Sequence, residues 1–435
     1  MTEKLYDTDV YCREFDARVM DCSGGKDGWE IILDRSAFYP EGGGQPGDRG
    51  SLMPVKKAGQ AEEADRSEEN GRIAEADPTA GAGRIAEANP TAGTGRIAEA
   101  NPTAGASRIT VTDTHEREGS IVLYTDHPLE PGTAVRGFVD WDYRFDLMQN
   151  HSGEHIVSGL IHETYGYNNV GFHMGSDMLT VDLDGEFSFE EMQEIERRAN
   201  RIVWENQSTG IRIYSEEEVK SVEYRSKKEL HGEVRIVTFP GADTCACCGT
   251  HVSHAGEIGL IKLISLEKFK GGVRMGMLCG RRAMEYMNTI WEQNHQISMA
   301  LSAKPFQTAD AVRRLKESDA ANTYRLNAME NQMFEAKAES LKGAGSVLLI
   351  EKAMSADSVR RLAVAVMETC CGRCAVFAGD DENGYKYAVG EKDGDVRELV
   401  KKINAGLNGR GGGKPFFAQG SIVSSEKEIR EFFDF

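Results

Sequence analysis

The stretch Asn150-His151-Ser152-Gly153-Glu154-His155 lies in residues 142–165, whose apolar spacing predicts a helix. His151 and His155 are one helical turn apart, so both imidazoles project from one face of that helix. Further along, the chain reads Cys247-Cys248-Gly249-Thr250-His251. Three imidazoles and one thiolate are donors that zinc prefers in a tetrahedral site. We therefore predict a zinc site formed by His151, His155, Cys247 and His251.

The identity of the thiolate ligand is open, because Cys245 and Cys248 crowd the same turn. Cys247 is preferred because its spacing from His251 matches the spacing of the two helix histidines. Each candidate also has an ordinary structural alternative. His155 could be a hydrogen-bonded core histidine, and Cys247 a small buried apolar side chain.

The helix stretch also fits His-x-x-Glu-His, the pattern of the inverzincin metallopeptidases. In a peptidase Glu154 would be the general base, and a distant carboxylate would complete the ligand set. The pair Cys247 and His251 argues against this alternative. It fills the positions that a peptidase leaves to a carboxylate and water.

Composition excludes several classes of protein. A chain of 435 residues is too long for one compact core, so two or three domains are expected. Its hydrophobic fraction of 40% and charged fraction of 28% are typical of soluble globular proteins. No run approaches the ~20 apolar residues of a membrane span, and the first residues lack the apolar core of a secretion signal. The nine clustered cysteines indicate reduced thiols or metal ligands. These features predict a cytoplasmic protein.

The net charge of −19 argues against a generic nucleic-acid binder, which usually carries a basic surface. Two local basic patches remain, either of which could be an ordinary solvated face. One lies in residues 266–282, and the other comprises Lys401, Lys402, Arg410 and Lys414.

Changes of pattern along the chain predict an α+β protein with four segments. Residues 1–140 form a β-rich, barrel-like unit interrupted by a tandem repeat of twelve-residue units at 71–106, which we interpret as an inert surface loop. Residues 141–280 form the zinc-containing α+β domain. Residues 281–342 form a long helical hairpin broken at Pro305, whose near-heptad apolar residues suit core packing or self-association. Residues 343–435 form a small α/β domain.

Three motifs carry a resemblance to a known family. The zinc quartet and the Gly-rich run Ser36-Ala37-Phe38-Tyr39-Pro40-Glu41-Gly42-Gly43-Gly44-Gln45-Pro46-Gly47-Asp48 resemble the editing domain of alanyl-tRNA synthetases. Arg410-Gly411-Gly412-Gly413-Lys414-Pro415 and Ala418-Gln419-Gly420 resemble the DHHA1 motif of their C terminus. We find no counterpart of the synthetase's aminoacylation and tRNA-recognition half in these 435 residues. The chain is therefore similar to the free-standing alanyl-tRNA editing proteins of AlaX type, in the long form with a DHHA1 domain.

The resemblance implies a trans-editing hydrolase that deacylates mischarged Ser-tRNA(Ala), with Gly-tRNA(Ala) as a second substrate, at a Zn²⁺ site. A synthetase pocket built for alanine rejects serine poorly, because serine adds only a hydroxyl group. Glu154 is a candidate base or partner of a metal ligand, and Thr250 a candidate contact for the serine hydroxyl. Ordinary alternatives are a helix-surface acid and a turn hydroxyl. Whether zinc activates water or positions the ester is open.

The same resemblance implies partners. Residues 343–435 become a DHHA1-like RNA-binding domain, and family similarity adds ATP binding. The candidate tRNA contacts are Lys268, Lys270, Arg274, Arg410 and Lys414. A homodimer could form through the helical hairpin or the C-terminal domain. The alternatives to the hydrolase are a zinc-stabilised tRNA-binding module without catalysis and the inverzincin-type peptidase.

Overall fold

The computed structural model describes residues 1–25, 28–55, 108–226, 230–352 and 354–433. The chain divides into two compact units, Met1–Ile290 and Trp291–Phe435. The 71–106 repeat lies outside the described residues, and the predicted four-segment boundaries stay predictions. Among the described residues, no helix combines the length and the apolar character needed to cross a bilayer.

The first unit begins with strands and then alternates helices and strands. In chain order its elements are β1 (Glu3–Lys4), β2 (Glu14–Gly25), β3 (Gly28–Leu33), β4 (Arg35–Ser36), β5 (Gly50–Pro54), β6 (Ile109–Arg117), β7 (Ser120–Thr125), β8 (Ala134–Val139), α1 (Trp141–Tyr165), β9 (Asn169–Met174), β10 (Leu179–Leu183), α2 (Phe189–Glu205), β11 (Gly210–Tyr214), β12 (Val234–Phe239), β13 (Asp243–Ala246), β14 (Ile261–Phe269) and β15 (Gly272–Cys279). Helix α3 (Gly280–Ala300) starts in this unit and ends in the second.

A closed barrel confirms the predicted β-rich start of the chain. Its six strands are ordered β2-β3-β7-β6-β5-β8. Alternate residues point inward, because successive side chains of a strand face opposite sides. Ile31, Leu33, Leu52, Val111 and Leu123 accordingly form a buried apolar interior.

Strands β5 and β6 flank the segment that holds the tandem repeat, and they are neighbours in the barrel. Leu52 pairs directly with Ile109 in an antiparallel register. The ends of the segment are therefore already adjacent, and a short turn can replace it. We expect deletion of 71–106 to leave the thermal unfolding midpoint and the catalytic activity near wild type. Loss of folding or of activity would contradict the inert-loop interpretation.

Helix α1 is the central element of the first unit, and it is buried along most of its length. It begins after Asp140, whose carboxylate accepts a hydrogen bond from the Tyr143 N–H, and it ends at Gly166 in the left-handed region. Two internal glycines let neighbours approach closely. A Cβ atom on Gly153 would lie 2.3 Å from the Cys279 Sγ, and one on Gly159 would lie 2.3 Å from the Ala242 carbonyl oxygen. The helix is therefore held tightly between its neighbours.

Two antiparallel sheets surround α1. The first is ordered β14-β15-β10-β9, and the second is ordered β11-β12-β13. Helix α2 packs beside α1 and starts with a capping box between Ser188 and Glu191. The helix predicted over 142–165 is confirmed within one residue.

The second unit combines long helices with an α/β domain. Its remaining elements are α4 (Thr308–Ser340), β16 (Val347–Glu351), α5 (Ala356–Thr369), β17 (Cys374–Asp380), β18 (Gly384–Gly390), α6 (Arg397–Gly406), β19 (Gly409–Lys414), β20 (Phe417–Ile422) and α7 (Glu426–Phe432). The strands form one sheet, ordered β16-β17-β18-β20-β19. The predicted break near Pro305 is confirmed, since α3 ends at Ala300 and α4 begins at Thr308. The antiparallel packing of these helices stays a prediction.

The Gly-rich DHHA1-like motif forms an edge strand, which its composition did not indicate. Gly411 and Gly413 in β19 lie against β20. A Cβ on Gly411 would be 2.1 Å from the Tyr387 hydroxyl oxygen, and one on Gly413 would be 2.3 Å from the Phe417 carbonyl oxygen. Glycine is therefore required here for close packing within the sheet.

Candidate metal centre

The four predicted ligands converge beside the middle of helix α1. The Cys247 Sγ lies 3.6 Å from the His151 Nε2 and 3.4 Å from the His251 Nε2. One donor atom from each of His151, His155, Cys247 and His251 lies within 4.8 Å of the other three. All three imidazoles are buried. Two ligands come from one helix face and two from the turn after β13, so the predicted convergence is present in the structure.

The outer nitrogen of each imidazole has its own partner. The His151 Nδ1 lies 2.9 Å from the Gln45 Oε1, and the His155 Nδ1 lies 3.0 Å from the Asp243 Oδ2. Both partner oxygens can only accept, so each Nδ1 carries a proton and Nε2 is the ring nitrogen that faces the cluster and could bind a metal. The His251 Nδ1 lies 3.2 Å from the Ser152 Oγ. This is the arrangement by which proteins orient histidine ligands, so the residues fit a bound zinc ion.

Gln45 links the Gly-rich run to the metal centre, a role that the local sequence pattern did not predict. Its Oε1 also accepts from the Thr250 N–H at 3.1 Å, and its Nε2 donates to the Thr250 hydroxyl at 2.8 Å. One amide thus orients a ligand and the ligand-bearing turn together. Its position inside the Gly-rich run was the available signal.

The Gly-rich run bends sharply to deliver Gln45. Gly43 and Gly44 have φ values of 61° and 89°, in the region that favours glycine. A Cβ on Gly44 would lie 2.5 Å from the Phe172 ring, which stacks on His151 with ring centroids 5.4 Å apart. The glycines therefore allow a tight turn against the site.

A buried ion pair joins the same loop to helix α1. The Arg144 Nε lies 2.8 Å from both carboxylate oxygens of Asp48, and both side chains are 0% exposed. Arg144 also donates to the carbonyl oxygens of Val10 and Ala37 at 3.0 and 2.6 Å. Arg144 lies two helical turns before His151, so its guanidinium fixes the Gly-rich loop against that part of α1.

Charge in the cluster favours a thiolate. Burial alone would raise the pKa of the Cys247 thiol, but His151, His251 and His155 outweigh it and hold that pKa well below its usual range. For His251, burial and the neighbouring His151 lower the imidazole pKa to about 3. A thiolate and a neutral imidazole are the forms that bind metal.

A cavity of about 870 Å³ opens over the cluster. His151, His155, Cys247 and Glu154 line it. The Glu154 Oε1 accepts hydrogen bonds from Ser158 and Asn169. Thr250 does not line this cavity; it is buried and hydrogen-bonded to Gln45.

The other cysteines of the turn occupy different surroundings. Cys245 is buried, and one donor atom of it lies within 4.8 Å of donor atoms of His155 and Asp243. Cys248 is exposed. The arrangement therefore favours Cys247 as the thiolate that faces all three imidazoles.

The predicted tRNA contacts fall into two groups. Lys268, Lys270 and Arg274 surround the turn between β14 and β15, where the Arg274 Nε donates to Asp182 at 2.6 Å and the guanidinium lies over the Phe269 ring. Arg410 and Lys414 are exposed on β19. Their role in tRNA binding stays a prediction.

Two protein-family models match parts of this chain. The Threonyl and Alanyl tRNA synthetase second additional domain matches residues 234–274, which include Cys247 and His251. The DHHA1 domain matches residues 342–435.

Relatives extend this similarity along the chain. The Alanyl-tRNA editing protein AlaX-L of Pyrococcus horikoshii is 28% identical, covering 99% of this chain and 96% of the relative. The Alanyl-tRNA editing protein Aarsd1 of Mus musculus is 25% identical, covering 97% and 95%. The Alanine--tRNA ligase of Halorubrum lacusprofundi is 27% identical, covering 96% of this chain but 42% of the ligase. The predicted resemblance to free-standing alanyl-tRNA editing proteins is confirmed.

Proposed function

We propose that this protein is a zinc-dependent trans-editing hydrolase that removes serine, and also glycine, from mischarged tRNA(Ala). The observation that carries the proposal is the convergence of three imidazoles and the Cys247 Sγ beside a cavity. Similarity to alanyl-tRNA editing proteins along 99% of the chain supports the choice of substrate.

In this mechanism His151, His155, Cys247 and His251 would hold Zn²⁺. The bound ion would supply Lewis acidity, for a water molecule or for the ester group. Glu154 lies in the cavity with both of its hydrogen bonds on Oε1, which leaves Oε2 to accept a proton from the attacking water. The predicted contact of Thr250 with the serine hydroxyl would require the substrate to reach a hydroxyl that is buried and accepts from Gln45. An aminoacyl ester is already labile, so positioning supplies much of the remaining rate.

We also propose that tRNA is held by phosphate contacts from Lys268, Lys270, Arg274, Arg410 and Lys414. Self-association through exposed apolar residues of α4, among them Leu326, Met329 and Met333, is part of the same proposal. The cytoplasm, where charged tRNA is used, is the proposed location.

Two alternatives are less well supported. A peptidase of the inverzincin type needs a carboxylate as third ligand, whereas Cys247 and His251 occupy that side of the cluster. A tRNA-binding module without catalysis gives the Glu154 carboxylate in the cavity only the role of accepting from Ser158 and Asn169, and leaves its Oε2 unused.

The test is a deacylation assay with Ser-, Gly- and Ala-tRNA(Ala) as separate substrates of the purified, zinc-loaded protein. We expect rapid release of serine and glycine, and release of alanine at least ~100-fold more slowly, since correct charging must survive. Binding of tRNA without release of any amino acid would support the non-catalytic module. Equal release of all three would contradict an editing function.

A further inference from the structure

Arg225 lines the cavity, and its guanidinium hydrogen-bonds Asp243, which in turn contacts His155. Its backbone is attached to the strand that leads into the cysteine turn. The Arg225 N–H donates to the Thr244 carbonyl oxygen at 2.8 Å, and the Ala246 N–H donates to the Arg225 carbonyl oxygen at 2.9 Å. Main-chain hydrogen bonds therefore fix Arg225 beside β13. Its guanidinium remains available for contacts with other side chains.

That guanidinium binds one carboxylate through a fork. The Arg225 Nε lies 2.8 Å from the Asp243 Oδ1, and the Arg225 Nη2 lies 2.9 Å from the Asp243 Oδ2. The Arg225 side chain is 19% exposed and that of Asp243 is 1% exposed. Two parallel hydrogen bonds of this kind fix the plane of a carboxylate as well as its position.

The same carboxylate orients a predicted metal ligand. The Asp243 Oδ2 accepts from the His155 Nδ1 at 3.0 Å, so the ring of His155 is set by an oxygen that Arg225 itself holds. The second arginine of the cavity, Arg235, serves another part of the site. Its Nη1 donates to the carbonyl oxygens of Cys247 and Gly249 at 2.6 and 3.1 Å.

We propose that Arg225 is a positioning residue for the metal centre, acting on His155 through Asp243. This inference rests on the proposed zinc site. Partners of this kind, one step behind the ligands, typically change metal affinity by about 10- to 100-fold when removed. Lysine at position 225 keeps the charge but cannot form the fork, so it should restore only part of the affinity.

The test measures zinc affinity of the full chain by competition with a chromophoric chelator. We expect Arg225→Met to weaken zinc binding about tenfold or more, with Arg225→Lys between it and wild type. Arg212, an exposed arginine paired with Glu218, provides the matched control, and Arg212→Met should bind zinc like wild type. Circular dichroism establishes that each variant is folded.

A double mutant distinguishes an effect of Arg225 through Asp243 on His155 from a direct contact of Arg225 with the substrate. If Arg225 acts through Asp243, then Arg225→Met should add nothing to the loss caused by Asp243→Ala. Additive losses would overturn the proposal. So would unchanged zinc affinity in Arg225→Met with a raised KM, which would mean that Arg225 contacts the substrate.

The role of Arg225 can be tested independently of the proposed editing function. A wild-type protein that binds zinc but deacylates no tRNA would overturn the editing function alone, and the affinities of the Arg225 variants would still decide the role of Arg225. A wild-type protein that binds no zinc would overturn both.

Discussion

Cys247→Ala and His155→Ala are each expected to remove tightly bound zinc and to lower Ser-tRNA(Ala) deacylation by ~100-fold or more. Each change deletes one of four converging donors, and water would have to replace it in a buried site. Loss of Cys247 has a second effect, because the three imidazoles that surround its thiolate would face one another without a negative charge.

Zinc content by atomic absorption and single-turnover deacylation measure the two expected losses independently. Cys371→Ala and His127→Ala are matched controls, because both side chains are exposed and neither belongs to the quartet. Both controls should retain wild-type zinc and activity. Full Ser-tRNA(Ala) release by Cys247→Ala or His155→Ala would refute the proposed site.

The second large effect concerns stability. Arg144→Met and Asp48→Asn are each expected to lower the free energy of unfolding by about 3–5 kcal/mol, because either change leaves a buried charged partner uncompensated. Arg144→Met also removes the donors to the carbonyl oxygens of Val10 and Ala37. It should therefore be the more damaging of the two.

Urea unfolding followed by circular dichroism measures these changes. The control is Arg197→Met, which breaks an exposed ion pair with Glu194 on α2 and should unfold like wild type. The double variant Arg144→Met/Asp48→Asn should be less destabilised than the sum of the single variants, since the two side chains interact directly. Strict additivity, or single losses no larger than that of Arg197→Met, would contradict the role given to this pair.

Local patterns explain which parts of the fold could be predicted. Helix α1 follows from apolar spacing between Asp140 and Gly166, and the barrel strands follow from alternation that matches the pleat. Strand β19 was not predicted, because a glycine-rich segment has no alternation to detect. Its strand conformation depends on the contacts of Gly411 and Gly413 with their neighbours.

The candidate site divides in the same way. His151 with His155, and Cys247 with His251, were predicted because each pair is close in sequence. Gln45, Asp243 and Arg225 were not identified as members of the site. Their hydrogen bonds join segments that are far apart in the chain, and no local period encodes such a contact.

The sequence by itself determined the helix face, the cysteine turn, the order of the motifs and the resemblance to editing proteins, because these depend on short spacings. Only the tertiary structure decided that both pairs meet below one cavity and that Gln45 and Asp243 engage the outer nitrogens of His151 and His155. The physical reason is that barrel closure and the burial of α1 set the distances between segments far apart in the chain, here the Gly-rich run, α1 and the cysteine turn. The Asp48–Arg144 pair then holds the Gly-rich loop in the position that those distances require.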